Sequence, residues 1–340
     1  MKVKDIISLE KPSLSFEVFP PKTQDKFEVV SSATTEIAKL KPDFMSVTYG
    51  AGGGTSQYTT KIASLIKNRL DTTALAHLTC ASTPKEQIDS ILDTLKDNHI
   101  DNILAMRGDI PQGYEKPQGE YYTYASDLVS HIKEYGYFDI GGACYPECHQ
   151  ESKSRVDDII HLKEKVDSGC EHLISQLFFD NSKFLNFVES ARIAGINVPI
   201  EAGVMPVINK AQIERMASLC GATIPSKFQK ILDRYADNKD ALFDAGMAYA
   251  ISQVIDLALQ IFPHGQILCV SVFGGVCAGF DERAFGHDGG DHQRAGGIGA
   301  VECQKQIGID LIRGSFVGFD LQVHRFDLCQ LTHTGNVVSK

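Results

Sequence analysis

Apolar runs of four to seven residues recur about every 30 residues through the first two thirds of the chain. They are Leu14–Phe19, Phe44–Tyr49, Ala74–Thr79, Ile103–Met106, Ile140–Tyr145, Leu173–Phe179 and Val198–Val204. Each is rich in β-formers and each is followed by a segment of helical period, so the pattern predicts parallel strands with right-handed helical crossovers. The polar residues Glu17, Thr48, His77, Arg107, Asp109, Tyr145 and Gln176 stand at or just past the C-terminal ends of these runs. An open doubly wound sheet would share the alternation. Seven units, and polar residues at several strand ends rather than one phosphate loop, favour an α/β (βα)8 TIM barrel with an active site at its C-terminal mouth.

Two helices carry clear signals. Val29, Val30, Ala33, Ile37 and Leu40 form one apolar stripe, and Ile88, Ile91, Leu92 and Leu95 form another. Thr83-Pro84-Lys85-Glu86 predicts a capping box with proline at the first helical position. Gly50-Ala51-Gly52-Gly53-Gly54-Thr55 lacks the spacing of a dinucleotide fingerprint and the lysine of a P-loop. It reads as a βα turn capped by Thr55 or Ser56, or as a loop whose backbone must approach a ligand. Two segments are expected: residues 1–260 with the first seven βα units, and a glycine-rich segment 261–340 with an atypical last unit. The second holds 14 of the 29 glycines; Ile267–Phe273 is its candidate eighth strand, and the stretch beyond is expected to be irregular.

A net charge of −10 disfavours nucleic acid as a partner. No apolar run in the sequence reaches spanning length, and the start MKVKDIISLEK lacks the apolar core of a signal peptide. The nine cysteines show no small-domain spacing and read as reduced thiols. A cytoplasmic enzyme acting on a small molecule, away from membranes, is the expectation.

The chemistry begins with Glu17. On its strand it shares a face with Ser15 and Phe19, and a carboxyl aimed into a barrel mouth should have a raised pKa suited to a general acid. The plain alternative is a salt-bridged glutamate at a strand edge. Arg107-Gly108-Asp109 ends the fourth run: glycine permits close approach to a flat ligand, arginine suits a phosphate or carboxylate, and Asp109 can hydrogen-bond a heterocycle. Asp158, His161 and Lys165 share one face of a helix, a pattern that usually marks a solvated surface. Cys144, Cys148 and His149 match no strong zinc spacing, so no metal is expected, and Tyr145 reads as a surface for a ring system.

In order along the chain, SFEVFPPK, SVTYGAGG, AHLTC, LAMRGD, ACYPECH and SQLFFD closely resemble the catalytic domain of methylenetetrahydrofolate reductases, over roughly residues 10–260. The resemblance implies a (βα)8 flavoprotein that uses FAD, reduced by NADH or NADPH, to convert 5,10-methylenetetrahydrofolate to 5-methyltetrahydrofolate, the one-carbon step that serves methionine synthesis. It implies Glu17 as the general acid, Asp109 against the pterin and flavin, and Gln176 positioning folate and nicotinamide. Thr48, His77, Arg107, Gly108, Tyr145, His149, Asp158, His161 and Lys165 would line FAD, with the Asp158–Lys165 face reaching its phosphate and ribose portion. His161 stands where many bacterial relatives have asparagine. A homo-oligomer is implied, and some relatives take electrons through a partner subunit.

Two positions depart from the pattern. The last strand of the family ends in a motif like HLYTMN, and QILCVSVF stands there instead, as an altered C-terminus would leave it. Lys210 occupies a place where some relatives carry a nicotinamide-stacking phenylalanine. An inactive or non-catalytic flavin-binding relative with an incomplete barrel is therefore the competing reading. A flavin-free barrel lyase or methyltransferase using Cys144, Cys148 and His149 with a metal is a third.

Overall fold

The structure, a computed structural model, describes residues 1–7, 13–21, 23–49, 56–109, 118–261 and 269–272. Eight parallel strands close into a barrel in sequence order: β1 Ser13–Val18, β2 Phe44–Val47, β3 Thr73–Thr79, β4 Asn102–Met106, β5 Asp139–Cys144, β6 His172–Ser175, β7 Ile200–Val204 and β8 Cys269–Val272. The helices are α1 Val3–Ile7, α2 Phe27–Ala38, α3 Ser56–Asn68, α4 Lys85–Asp97, α5 Ala125–Tyr135, α6 Arg155–Asp167, α7 Asn181–Ile193, α8 Lys210–Cys220, α9 Ser226–Arg234 and α10 Lys239–Ile261. The eighth strand lies inside the run 267–273 and pairs with both β1 and β7, so the barrel is closed. The glycine-rich residues 273–340 and the glycine loop 50–55 lie outside the described residues.

Strand alternation separates two cores. Leu14, Phe16 and Val18 of β1, Met45 and Val47 of β2, and Ala74, Ala76 and Leu78 of β3 pack outward with Ile62, Ile66, Ile88 and Leu92 of the surrounding helices. Inward-facing Phe44, Leu75, Leu104 and Ile174 meet Val3, Ile6 and Ile7 of α1. That helix closes the N-terminal end of the barrel: its Val3 N–H donates to Asn102 Oδ1 at 2.8 Å and its Lys4 N–H to Asp139 Oδ2 at 3.0 Å, while Lys4 Nζ pairs with Glu171. The opposite end, where the strands finish, is left for chemistry.

Several local expectations are corrected. No capping box forms at Thr83: α4 begins at Lys85, Pro84 is its extended N-cap, and the Lys85 N–H is satisfied across the loop by the Glu120 carbonyl at 2.9 Å. Val29 is 55% exposed, because the buried stripe of α2 runs through Val30 and Ile37 about 100° further round. The sixth strand stops at Ser175; Leu177, Phe178 and Phe179 are buried in the connection to α7. Gln176 turns the chain there by accepting the Leu177 N–H on its own Oε1 at 2.8 Å.

α10 also exceeds the length expected of any apolar segment. It is long and apolar enough to cross a membrane by length and composition alone. Here Ala250, Val254, Leu257 and Ala258 pack beside β7 and α7, and Leu242 packs with α8 and α9. Gly246 lets it approach the barrel, since a Cβ there would lie 1.7 Å from the Val207 carbonyl oxygen.

Candidate active site

Glu17 points inward with Ser13 and Ser15, while its neighbours Phe16 and Val18 belong to the outer core. The side chain is buried, and burial pushes its carboxyl up to about 8, with the Ser46 hydroxyl of β2 pulling the other way. Ser46 stands opposite Glu17 in the β1–β2 register. From β3, His77 brings Nε2 to 3.5 Å from Glu17 Oε2. Burial lowers His77 to about 3, so the imidazole is neutral at physiological pH. Glu17 is therefore no surface salt-bridge residue: it is a protonated, buried acid near the C-terminal end of β1. Phe19, two residues further on, is 51% exposed.

The ends of β3 and β4 are tied together. Cys80 and Ala81 donate backbone hydrogen bonds to the Arg107 carbonyl, at 3.2 and 2.8 Å. Gly108 follows with φ +78°, and a Cβ there would sit 2.7 Å from Thr79 Cβ, so only glycine keeps the main chain this close. Asp109 is exposed beyond it. The Arg107 guanidinium forms a two-point pair with Glu151, one arm at 2.6 Å, which holds the Glu151 carboxyl below its ordinary range.

The loop after β5 supplies an aromatic corner: the rings of Tyr145 and His149 meet edge to face, centroids 4.6 Å apart. His149 Nδ1 accepts the Glu151 N–H at 3.1 Å. On α6, Asp158 accepts from Ser152 Oγ at 2.8 Å and Lys165 Nζ donates to the Ala143 carbonyl at 2.7 Å, so both turn toward the end of β5. His161 does not follow them. It is exposed and lies 3.2 Å from Glu164 of its own helix. Thr48 leaves β2 with its N–H on the Val18 carbonyl at 3.0 Å, and Gln176 is half-buried just past β6. Lys210 opens α8 and pairs with Asp233 of α9 at 2.7 Å. Cys144 is buried, with its thiol pushed up by burial. Among the described residues, no group of three His, Cys, Asp or Glu side chains could hold a metal ion.

The barrel mouth thus gathers a neutral acid, a glycine-lined strand end, a guanidinium and an aromatic corner. The family profile described as methylenetetrahydrofolate reductase matches residues 2–266. The chain belongs to the methylenetetrahydrofolate reductase family. It is 38% identical over 242 residues to the Escherichia coli 5,10-methylenetetrahydrofolate reductase, covering 71% of this chain and 80% of that protein. It is 38% identical over 278 residues to the Arabidopsis thaliana methylenetetrahydrofolate reductase (NADH) 1, covering 78% of this chain but 46% of the plant protein, so it spans about half the plant relative's length. A solved Clostridium thermocellum protein, described as binding two copies of 5-methyl-5,6,7,8-tetrahydrofolic acid, shares the fold with a TM-score of 0.58 at 14% identity, over 92% of this chain and 98% of that one.

Three further residues of this barrel lie outside the candidates named from the sequence. Ser46 was legible, since it lies two positions before Thr48 and so shares its strand face. Glu151 was not, because one exposed glutamate in a polar loop carries no pattern. Glu201 of β7 faces inward opposite in parity to Ala202 and Val204 of the outer core, and among the described residues neither carboxylate oxygen has a hydrogen-bond partner. Burial, with Asp43 adding to it, pushes Glu201 up to about 8.

Proposed function

We propose that this protein reduces 5,10-methylenetetrahydrofolate to 5-methyltetrahydrofolate in the cytoplasm, with FAD as its redox group and NADH or NADPH as electron donor. The reading rests on family membership, and the observation that carries it mechanistically is Glu17: a buried carboxyl that keeps its proton at neutral pH, near the mouth of the barrel.

The residues present fit FAD. The main chain at Gly108 can approach a flat ring because no side chain fills the space beside Thr79. Tyr145 and His149 form an aromatic wall, and Arg107 and Lys165 bring positive charge for a diphosphate. Thr48, His77 and Asp158 complete the lining. His161, the remaining residue assigned to it, would have to swing in from solvent. When bound, FAD supplies the two-electron chemistry that connects nicotinamide to folate.

The chain's own residues do the rest. Glu17 donates its proton to a folate nitrogen bonded to the methylene carbon; that carbon–nitrogen bond opens, the nitrogen keeps the electron pair, and the electrophilic iminium forms. Asp109 holds the pterin. Gln176 offers an amide to folate and nicotinamide in turn, as one mouth serving two flat substrates in succession requires. A homo-oligomer, or delivery of electrons through a partner subunit, is compatible with this arrangement.

Incubation with 5,10-methylenetetrahydrofolate, FAD and NADH or NADPH, followed by mass spectrometric detection of 5-methyltetrahydrofolate, tests the proposal. Product formed by the wild type and absent in Glu17→Gln supports it. No product with either nicotinamide or dithionite as reductant favours the non-catalytic relative.

A further inference from the structure

Two ionisable side chains meet below the barrel mouth, and no motif in the sequence pairs them. His77 lines β3 and Glu17 lines β1, with β2 between, yet closure of the barrel brings Nε2 and Oε2 to 3.5 Å. Both side chains are nearly fully buried, and Nε2 has no hydrogen-bond partner among the described residues, the Glu17 contact being an approach rather than a formed bond. At the outer edge of hydrogen-bond range, such contacts tighten when a substrate closes the site. We propose that His77 is a positioning residue for the acid: as its Nε2–H tautomer it donates to Glu17 Oε2, leaves the proton on Oε1 to face the folate, and holds the carboxylate that remains. This rests on Glu17 acting as the general acid.

The charge balance requires such a donor. Before transfer both groups are neutral, because burial disfavours ionisation of each. When the Oε1–H bond breaks and a nitrogen–hydrogen bond forms on folate, a negative charge appears in a buried site. Among the described residues, β2 offers Ser46 and β3 offers His77 toward it, both uncharged. An N–H brought onto Oε2 would stabilise that charge. His77 itself gains and loses no proton. The Nδ1–H tautomer would do the opposite: its Nε2 lone pair would take the Glu17 proton as an acceptor and turn it from the substrate.

His77→Gln places an amide N–H near the position of Nε2, and His77→Phe keeps a ring without a donor. Each is compared with wild type by reoxidation of dithionite-reduced flavin with 5,10-methylenetetrahydrofolate, and by the pH midpoint of the protonated-carboxyl infrared band that Glu17→Gln removes. The expected result, with FAD supplied at saturation, is reoxidation at least about tenfold slower in His77→Phe and restored to within about threefold in His77→Gln. A donor to the carboxylate lowers the carboxyl pKa, so the infrared midpoint rises by about half a unit or more in His77→Phe and not in His77→Gln. Equal behaviour of the two variants, or an unmoved midpoint in His77→Phe, overturns the proposal. Nitrogen-15 NMR of wild-type His77 decides independently of any variant: a protonated Nε2 supports it and a protonated Nδ1 contradicts it. The infrared and NMR readings stand even where folate fails to reoxidise wild-type flavin, the outcome that rejects the reductase reading instead.

Discussion

Arg107 and Glu151 bind each other at two points and so tie the end of β4 to the loop after β5. The pair is partly open to water, 29% and 63% exposed, which limits its contribution to stability to about 1 kcal/mol or less. Its consequence lies in ligand binding: the guanidinium assigned to FAD is already oriented, and a carboxylate occupies it.

Arg107→Ala should therefore leave thermal stability nearly unchanged while weakening FAD binding by about tenfold or more. Glu151→Gln removes the competing charge and should bind FAD at least as well as wild type. Titration of FAD into apoprotein by flavin fluorescence quenching reads both. Equal weakening by the two variants would show that the loop tie, not the guanidinium, matters.

Glu17→Gln keeps the size and hydrogen-bonding shape of the side chain but has no proton to give. FAD retention and flavin reduction by nicotinamide should stay within about threefold of wild type, while reoxidation by methylenetetrahydrofolate falls by about 100-fold or more. Stopped-flow measurement of the two half-reactions separates them.

The pH dependence follows from the direction of the Glu17 shift. An acid raised to about 8 stays protonated through neutrality and is lost as pH rises past that value, so the folate half-reaction should be flat from about pH 6 to 7 and decline above about 8. A profile declining already near pH 5 would place the working acid in the ordinary carboxyl range.

Glu201 makes a contrasting prediction about stability. Its folded pKa, about 8, lies above the ordinary 4.5, so the folded state favours its protonated form. Its contribution is fully present below pH 4.5 and is lost as pH rises through about 8. Glu201→Gln should then stabilise the fold at pH 8 by roughly 3 kcal/mol relative to its effect at pH 5. Urea unfolding at the two values measures this; a variant equally destabilised at both would mean that the carboxyl has a charged partner.

At Gly246 the obstacle is backbone rather than a flexible side chain. Gly246→Ala pushes a methyl into the Val207 carbonyl and should cost about 1–3 kcal/mol despite alanine's better helix propensity. A variant as stable as wild type by urea unfolding would refute this packing.

Much of this was written in local pattern. The spacing of apolar runs encodes the barrel, and the alternation Ser15, Glu17 puts an acid on its inner face. The eighth strand was legible within 267–273 although its polar motif was not there. What stayed hidden depends on closure and on loops. His77 reaches Glu17 across an intervening strand, which no sequence spacing encodes. Lys210 turns to Asp233 because α9 packs beside α8, and His161 faces solvent because the buried side of α6 is carried by Leu162. The Leu177–Phe179 run looked like strand because burial, not extension, is what apolar composition reports.

The central claim is that this barrel passes electrons to methylenetetrahydrofolate with Glu17 as acid. The most direct test is the visible spectrum of the purified protein with FAD, reduced by dithionite and then mixed anaerobically with 5,10-methylenetetrahydrofolate. The account predicts bound flavin whose oxidised absorbance returns on adding folate, in wild type and not in Glu17→Gln. A protein that binds no FAD, or a reduced flavin that folate leaves unchanged, would contradict it.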